Sequence, residues 1–260
     1  MNRWLICFSF LVCTFTGFSQ EVLVDDSFKE KYSISNFEGD YIIQDLSHRL
    51  TMATSGSLTS KYSVDATIFP YISLIALENG AVRSDDQECI RILKSDELNF
   101  NTIQQRQTDY FIQLMEVIGK DKLSTWLSKI NFGQLEKETF NGFPYLNICL
   151  NITLENQLSI LKSLYFLNLP FSYQSMIDVK NNFQTKKFGE KEVHWMEVTT
   201  NGKTWTLGWM TVKNNTYLFV QHTKKLNEKV ISSRTPFQLL GDLFYRIGYI
   251  ESGECSQFGF

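Results

Sequence analysis

Residues 62–80 read Tyr-Ser-Val-Asp-Ala-Thr-Ile-Phe-Pro-Tyr-Ile-Ser-Leu-Ile-Ala-Leu-Glu-Asn-Gly, and this stretch decides the fold. Its second half predicts a helix that ends at Asn79-Gly80, because these residue types commonly follow the last helical turn. The helix is apolar on nearly every side, through Ile72, Leu74, Ile75, Ala76 and Leu77. Such a helix belongs inside a sizeable core and not at a surface.

The first twenty residues have the pattern of a secretory signal. Arg3 supplies a positive start, residues 4–15 are mostly apolar, and Gly17-Phe18-Ser19 supplies small residues for cleavage. The apolar run is shorter than the roughly 20 residues that span a bilayer. The sequence therefore predicts a periplasmic or secreted protein, without an integral membrane span once the signal is removed.

Composition limits the possible partners and cofactors. The formal net charge of −3 is mild and argues against nucleic acid or an anionic membrane as the main partner. Beyond the signal, the cysteines Cys89, Cys149 and Cys255 are odd in number and widely spaced, so no disulfide framework or metal motif is visible. One bridge and three free thiols both remain open. We expect no cofactor and no metal.

Several local signals predict strands and helix ends. Residues 39–46 and 50–53 form two short β-rich runs around a turn, and Asn201-Gly202 is a strong two-residue hairpin signal. Asn214-Asn215 predicts a second turn before a third strand. Thr153 predicts the N-cap of a helix that continues to about Tyr165. The order is therefore early strands, a helical middle, a meander and a closing helix.

The run from Ser73 to Gly80 also resembles the central helix of class D β-lactamases and related penicillin-recognising serine enzymes. In that family a nucleophile motif, S-x-x-K, opens the helix. Counting back from residues 74–78, its serine position is Ala66 and its lysine position is Phe69. The resemblance implies that nucleophile and proton acceptor are both replaced. Thr67 either bonds locally to the backbone or, after a change of register, supplies a substitute hydroxyl.

The middle of the chain resembles the family's segment from S-x-V to Y/F-G-N. The S-x-V serine and valine positions fall on Arg106 and Thr108, and arginine cannot relay a proton at neutral pH. Phe132-Gly133-Gln134 matches Y/F-G-N with glutamine in place of asparagine. In the family a tryptophan shelters the motif lysine, which is carbamylated, and the position of that tryptophan here is Tyr145.

The last hairpin resembles the family's K-T-G strand. The K-T-G positions fall on Met196, Glu197 and Val198, so the lysine and threonine that hold the substrate carboxylate are absent. A carboxylate at Glu197 would repel that substrate group. Arg234 precedes the closing helix and is similar in place to the family's carboxylate-binding arginine.

The resemblance covers residues 39–250 and implies an α+β fold, with an antiparallel sheet flanked by helices plus a helical subdomain. Residues 21–38 are a leading segment and residues 251–260 a tail. The vestigial cleft has the positions Ala66, Thr67, Phe69, Arg106, Phe132, Gly133, Gln134, Tyr145, Met196, Glu197 and Val198, with no catalytic residue expected.

Three hypotheses follow for function. The first is a secreted pseudoenzyme that binds a cell-wall fragment, a β-lactam or a protein partner. The second is an active serine-type β-lactam hydrolase or transpeptidase-like acyl transferase with a non-standard nucleophile. The third is a structural or interaction protein whose cleft is filled by Phe69 and Trp195.

Overall fold

The computed structural model describes residues 21–83, 110–132, 134–135, 150–200, 202–227, 229–230, 232 and 234–258. Seven strands form the main sheet: β1 (Glu21–Val24), β2 (Phe37–Asp45), β3 (Leu50–Ala53), β7 (Gln184–Phe188), β8 (Lys191–Thr200), β9 (Lys203–Val212) and β10 (Asn215–Lys225). Their spatial order is β1-β3-β2-β10-β9-β8-β7. Every pairing is antiparallel except β1 with β3, which is parallel.

A small second sheet and several helices complete the described structure. The small sheet has the order β4-β6-β5, formed by β4 (Tyr62–Ser63), β5 (Gln134–Leu135) and β6 (Leu150–Ile152). The α-helices are α1 (Lys29–Ile34), α2 (Ser55–Thr59), α3 (Phe69–Glu78), α4 (described over 110–118), α5 (Lys120–Lys129), α6 (Leu154–Tyr165), α7 (Tyr173–Lys180) and α8 (Pro236–Arg246). The prediction of an α+β fold with a sheet flanked by helices is confirmed.

The predicted central helix is α3, and it is buried as expected. Residues 69–76 are all buried, and the helix follows directly on a 3-10 turn at Asp65–Ile68. It ends where the sequence places its end: the Asn79 side-chain amide donates to the Ile75 carbonyl at 2.7 Å, and Gly80 has a φ of 65°. The positive φ suits glycine, which has no Cβ to oppose it.

Two hydrophobic cores lie on opposite faces of the main sheet. The first contains α3 and buried residues of α4, α5, α6 and α7, and it packs on the sheet through Trp205, Leu207 and Leu218. The second contains residues of α1 and α8 against Ile43, Met210 and Phe219. Alternate residues of β9 and β10 serve the two faces, as the two-residue period of a strand requires.

Local signals in the sequence account for several boundaries. Thr153 caps α6 by accepting from the Asn156 backbone N–H at 3.1 Å. Thr200 of β8 pairs with Lys203 of β9, as the predicted two-residue hairpin requires. The second turn differs by one residue from its prediction, because Asn215 already pairs with Val212 as the first residue of β10. Lys213 takes the positive φ, 53°, that this tight turn needs.

The two ends of the described chain carry structure that the sequence did not predict. The leading segment contains β1 and α1, and Phe28 and Tyr32 of this region are fully buried. The tail forms a 3-10 helix at Ser252–Phe258, and Phe258 is also fully buried. A Cβ added to Gly241 would lie 2.6 Å from Cγ of Phe258, so the tail packs directly on the backbone of α8.

Candidate functional site

The candidate site begins at the turn that leads into α3. Ala66 lies in the 3-10 turn, and Phe69 is the first residue of the helix. The resemblance predicts these two positions for the serine and the lysine of the S-x-x-K motif. An alanine has no nucleophilic atom, and a phenyl ring has no proton-accepting atom. The two groups of the S-x-x-K motif are therefore absent from the start of this helix.

The hydroxyl beside this position is occupied by a local bond. Thr67 is fully buried, and its Oγ1 donates to the backbone carbonyl of Val64 at 2.6 Å. This is the local backbone bond that threonine in a first turn commonly makes. The carbonyl of the nearby Ser63 accepts from the Trp205 indole N–H at 3.0 Å. Ser73, one turn after Phe69, is buried, and its hydroxyl has no hydrogen-bond partner among the described residues.

Phe69 forms a buried aromatic pair. Only 4% of Phe69 is exposed, and its ring stacks on Phe111 of α4 with centroids 4.1 Å apart and planes 11° apart. Such pairs contribute about 0.5–1.5 kcal/mol beyond the burial of their area. The ring at position 69 is thus part of the hydrophobic core.

A pocket with a volume of about 50 Å³ opens beside this pair. Its walls come from the start of α3, from α4, from the end of α7 and from one edge of the main sheet. The lining residues are Phe69, Pro70, Phe111, Val179, Asn182, Phe183, Gln184, Trp195, Met196, Glu197 and Val198. The structure therefore brings Phe69 together with all three K-T-G positions.

The sheet edge at the pocket is open because β7 is shorter than β8. The pairing of β7 with β8 ends at Gln184 opposite Trp195. Beyond it, residues 196–200 of β8 pair with β9 on one side only, within the described strands. This register places residues 196–198 at the wall of the pocket.

Glu197 is the one ionisable side chain among the described residues that line the pocket. Its carboxylate accepts from Oγ1 of Thr206, its neighbour on β9, at 3.3 Å. Burial raises the pKa of Glu197 to about 7, although the hydrogen bonds from Thr206 and from the Phe237 backbone N–H act in the opposite direction. No cation of the described chain offsets this burial.

Trp195 lines the pocket from the second core. Its ring stacks on Phe237 of α8 with centroids 4.4 Å apart and planes 14° apart. The side chain is 4% exposed, and its indole N–H has no hydrogen-bond partner among the described residues. The aromatic side chains around the pocket thus come from both faces of the sheet.

Arg234 is not among the described residues that line the pocket. Its Nε lies 3.5 Å from Oδ2 of Asp242, and the ammonium group of Lys31 lies 3.0 Å from the same oxygen. Asp242 is 5% exposed. In this structure the arginine therefore helps to neutralise a buried carboxylate at α8.

The remaining predicted positions divide into two groups. Phe132 is buried in the first core, where its ring lies 4.8 Å from that of Tyr71. The backbone of Gln134 belongs to β5, opposite Asn151 of β6. Four further positions lie outside the described residues: Arg106, Thr108, Gly133 and Tyr145. Cys89 and Cys149 lie outside them too, and Cys255 is a free thiol.

The sequence did not indicate several walls of the pocket. These residues belong to no motif, and they meet only in the folded chain: Phe111, Val179, Asn182, Phe183 and Gln184.

The sequence also gave no sign of a polar cluster beside Gly56. There Asp40 accepts from the Tyr62 hydroxyl, and the Tyr62 ring lies 4.3 Å from the ring of His222. Burial lowers the pKa of His222 to about 4.

No protein-family model matches the chain. In sequence it is 23% identical to β-lactamase OXA-5 of Pseudomonas aeruginosa, over 87% of this chain and 92% of that protein. It is 28% identical to β-lactamase OXA-20 of the same organism, over 68% and 71% of the two chains. The regulatory protein BlaR1 of Bacillus licheniformis is 24% identical over 75% of this chain, which spans only 34% of that longer protein.

Solved structures show a similar fold. The class D β-lactamase FUS-1 (OXA-85) of Fusobacterium nucleatum superposes with a TM-score of 0.71, at 20% identity, over 88% of this chain and 100% of that one. The C-terminal domain of the Bacillus licheniformis BlaR penicillin receptor gives a TM-score of 0.66 at 19% identity, over 88% and 97%. The resemblance to class D β-lactamases is confirmed, and the chain has their fold.

Proposed function

Because the chain has the class D β-lactamase fold and class D β-lactamases among its relatives, we propose that it is a binding protein that no longer performs acyl transfer through a serine. A cell-wall fragment, a β-lactam or a protein partner occupies its pocket without a covalent bond. The observation that carries this proposal is the buried stack of Phe69 on Phe111, which stands where the motif requires a lysine.

Acyl transfer needs a nucleophile, a group that accepts its proton and donors that hold the substrate. Ala66 and Phe69 supply neither of the first two. At the K-T-G positions, Met196 and Val198 are apolar and Glu197 is acidic. Since each position serves a different part of one reaction, these replacements together support a loss of the reaction.

A substitute nucleophile at Thr67 has little support in the geometry. Its hydroxyl donates to the Val64 carbonyl, so its proton is directed at the backbone and not at a base. The side chain is also fully buried. An attack by Thr67 would require the turn at residues 65–68 to open.

The pocket favours binding over a purely structural role. A cleft wholly filled by Phe69 and Trp195 would leave no space, whereas about 50 Å³ remains between the helices and the sheet edge. The lining includes three polar residues, Asn182, Gln184 and Glu197, among otherwise apolar ones. Ligand sites commonly combine an apolar wall with a few polar groups in this way.

Export completes the proposal and rests on residues 1–20 alone. Mass spectrometry of the chain recovered from the periplasm or medium of an expressing cell tests it. We expect a mature protein that begins at Glu21. Recovery of the full-length chain from the membrane would contradict export by a cleaved signal.

Loss of acyl transfer is tested by intact-mass spectrometry after incubation with several penicillins and a carbapenem. Hydrolysis of a chromogenic cephalosporin is followed in parallel, with a class D β-lactamase as positive control. We expect no adduct and no turnover above that of a T67A variant. A stoichiometric adduct would overturn the proposal, and peptide mapping would then identify the acylated residue.

A further inference from the structure

Resting on the proposed function of this pocket as a binding site, we propose that its ligand is an organic cation. A primary ammonium group on one apolar substituent matches the described lining. The inference reverses the charge of the ligand, since the K-T-G lysine of related enzymes holds a carboxylate.

The charge of the lining is the first argument. Glu197 is its one ionisable group within the described part of the chain, so an ionised pocket carries a negative charge. An anionic ligand would meet an unpaired carboxylate in a site of low dielectric, where repulsion is strong. A cation would instead supply the opposite charge that this half-buried carboxylate does not meet among the described residues.

The aromatic content is the second argument. Phe69, Phe111, Phe183 and Trp195 all contribute to the walls. Aromatic faces are electron-rich, and they attract alkylammonium groups by about 0.5–2 kcal/mol each. Aromatic side chains around an ammonium group, completed by a carboxylate, form a recurrent site for such ligands.

The position of the carboxylate is the third argument. The Glu197 side chain is held by the Thr206 hydroxyl and the Phe237 backbone N–H. Its own backbone is fixed by the pairing of β8 with β9. An acceptor that is already ordered loses little entropy when a ligand binds, which favours affinity.

Isothermal titration calorimetry of the mature protein at pH 8 tests the proposal with ligands of one shape and three charges. The probes are benzylammonium, benzyl alcohol and benzoate. We expect benzylammonium to bind at least tenfold more tightly than benzyl alcohol, and benzoate to bind most weakly. Benzoate binding as tightly as benzylammonium would overturn the proposal.

Variants assign the preference to Glu197. E197Q should lose at least tenfold in affinity for benzylammonium and less than twofold for benzyl alcohol, whereas E197D should keep the preference for the cation. E192Q, which removes an equal charge from the same strand, should change neither affinity. An unchanged cation affinity in E197Q would overturn the proposal, provided that circular dichroism shows a folded variant.

Two further outcomes separate this inference from the proposed function. In the first, benzyl alcohol and benzoate bind as well as benzylammonium, and a V198W variant that fills the pocket abolishes their binding. This result would refute the preference for a cation and leave the proposed binding function intact. Failure of every probe and every β-lactam would refute both. Arg106 is a predicted cleft position that lies outside the described residues, so the R106Q variant is titrated as well. Cation binding that appears only in R106Q would overturn the inference for the native chain.

Discussion

The ring of Phe69 lies nearly parallel to the ring of Phe111, with their centroids 4.1 Å apart. The pair joins the first residue of the central helix, the position predicted for the motif lysine, to α4. A lysine here would lose the aromatic contact, and its ammonium group would face an apolar core at a high desolvation cost. The phenylalanine at this position is therefore also a packing residue of the first core.

Truncation of either ring should destabilise the fold. We expect F69A and F111A each to lower the free energy of unfolding by about 3–5 kcal/mol, the usual range for a buried phenylalanine. The double variant should cost about 0.5–1.5 kcal/mol less than the sum, because the stacking energy can be lost only once. Urea unfolding measures all three, and strict additivity would contradict direct coupling of the rings.

Glu197 should make the protein less stable as the pH rises. The pKa of Glu197 is about 7 in the folded chain and near 4.5 in the unfolded chain. Its contribution to the free energy of unfolding is therefore complete below pH 4.5 and is lost between pH 4.5 and 7. A difference of this size corresponds to about 3 kcal/mol. Urea unfolding from pH 5 to 8 should show this decline in the native chain and in E192Q, but not in E197Q. An equal decline in E197Q would refute the assignment.

His222 should act in the opposite direction. The pKa of His222 is about 4 in the folded chain and 6.5 in the unfolded chain. Its contribution to the free energy of unfolding is therefore complete above pH 6.5 and is lost as the pH falls towards 4. H222F keeps a ring beside Tyr62 and removes the titration. Thermal unfolding at pH 4 and pH 6.5 should differ less for H222F than for the native chain. An equal difference in H222F and in the native chain would contradict the assignment to His222.

The tail should be essential to the second core. F258A removes a fully buried ring and should cost about 3–5 kcal/mol. G241A adds a methyl group 2.6 Å from that ring and should cost about 1–3 kcal/mol. In an F258A background the same methyl group has space, so its cost should nearly vanish. Chemical denaturation of the four proteins measures the cycle, and an unchanged G241A cost would contradict the contact.

Local sequence signals predicted the elements that depend on neighbouring residues. The end of α3 at Asn79-Gly80, the cap at Thr153 and the turn at Gly202 each follow from residues within a few positions of one another. The packing of Phe258 depends instead on Gly241, with no periodic pattern to connect them. The parallel pairing of β1 with β3 is equally non-local.

The sequence indicated some residues of the candidate site and not others. Motif spacing predicted a cleft that contains Phe69 and residues 196–198, and these four residues do line one pocket. Phe111 and Phe183 could not be found, because an apolar residue in the sequence does not show which cavity it borders. The pKa of Glu197 likewise depends on burial by several elements, which a strand pattern alone does not reveal.

The second core has a consequence for the order of folding. Tyr32 of α1 packs in the same layer as Phe244 of α8 and Phe258 of the last helix. The central strand β2 likewise pairs with β10, where Asp45 meets Tyr217. Contacts between residues so far apart in sequence make folding slow. During synthesis the buried residues of α1 therefore cannot complete the second core until Phe244 and Phe258 have emerged from the ribosome.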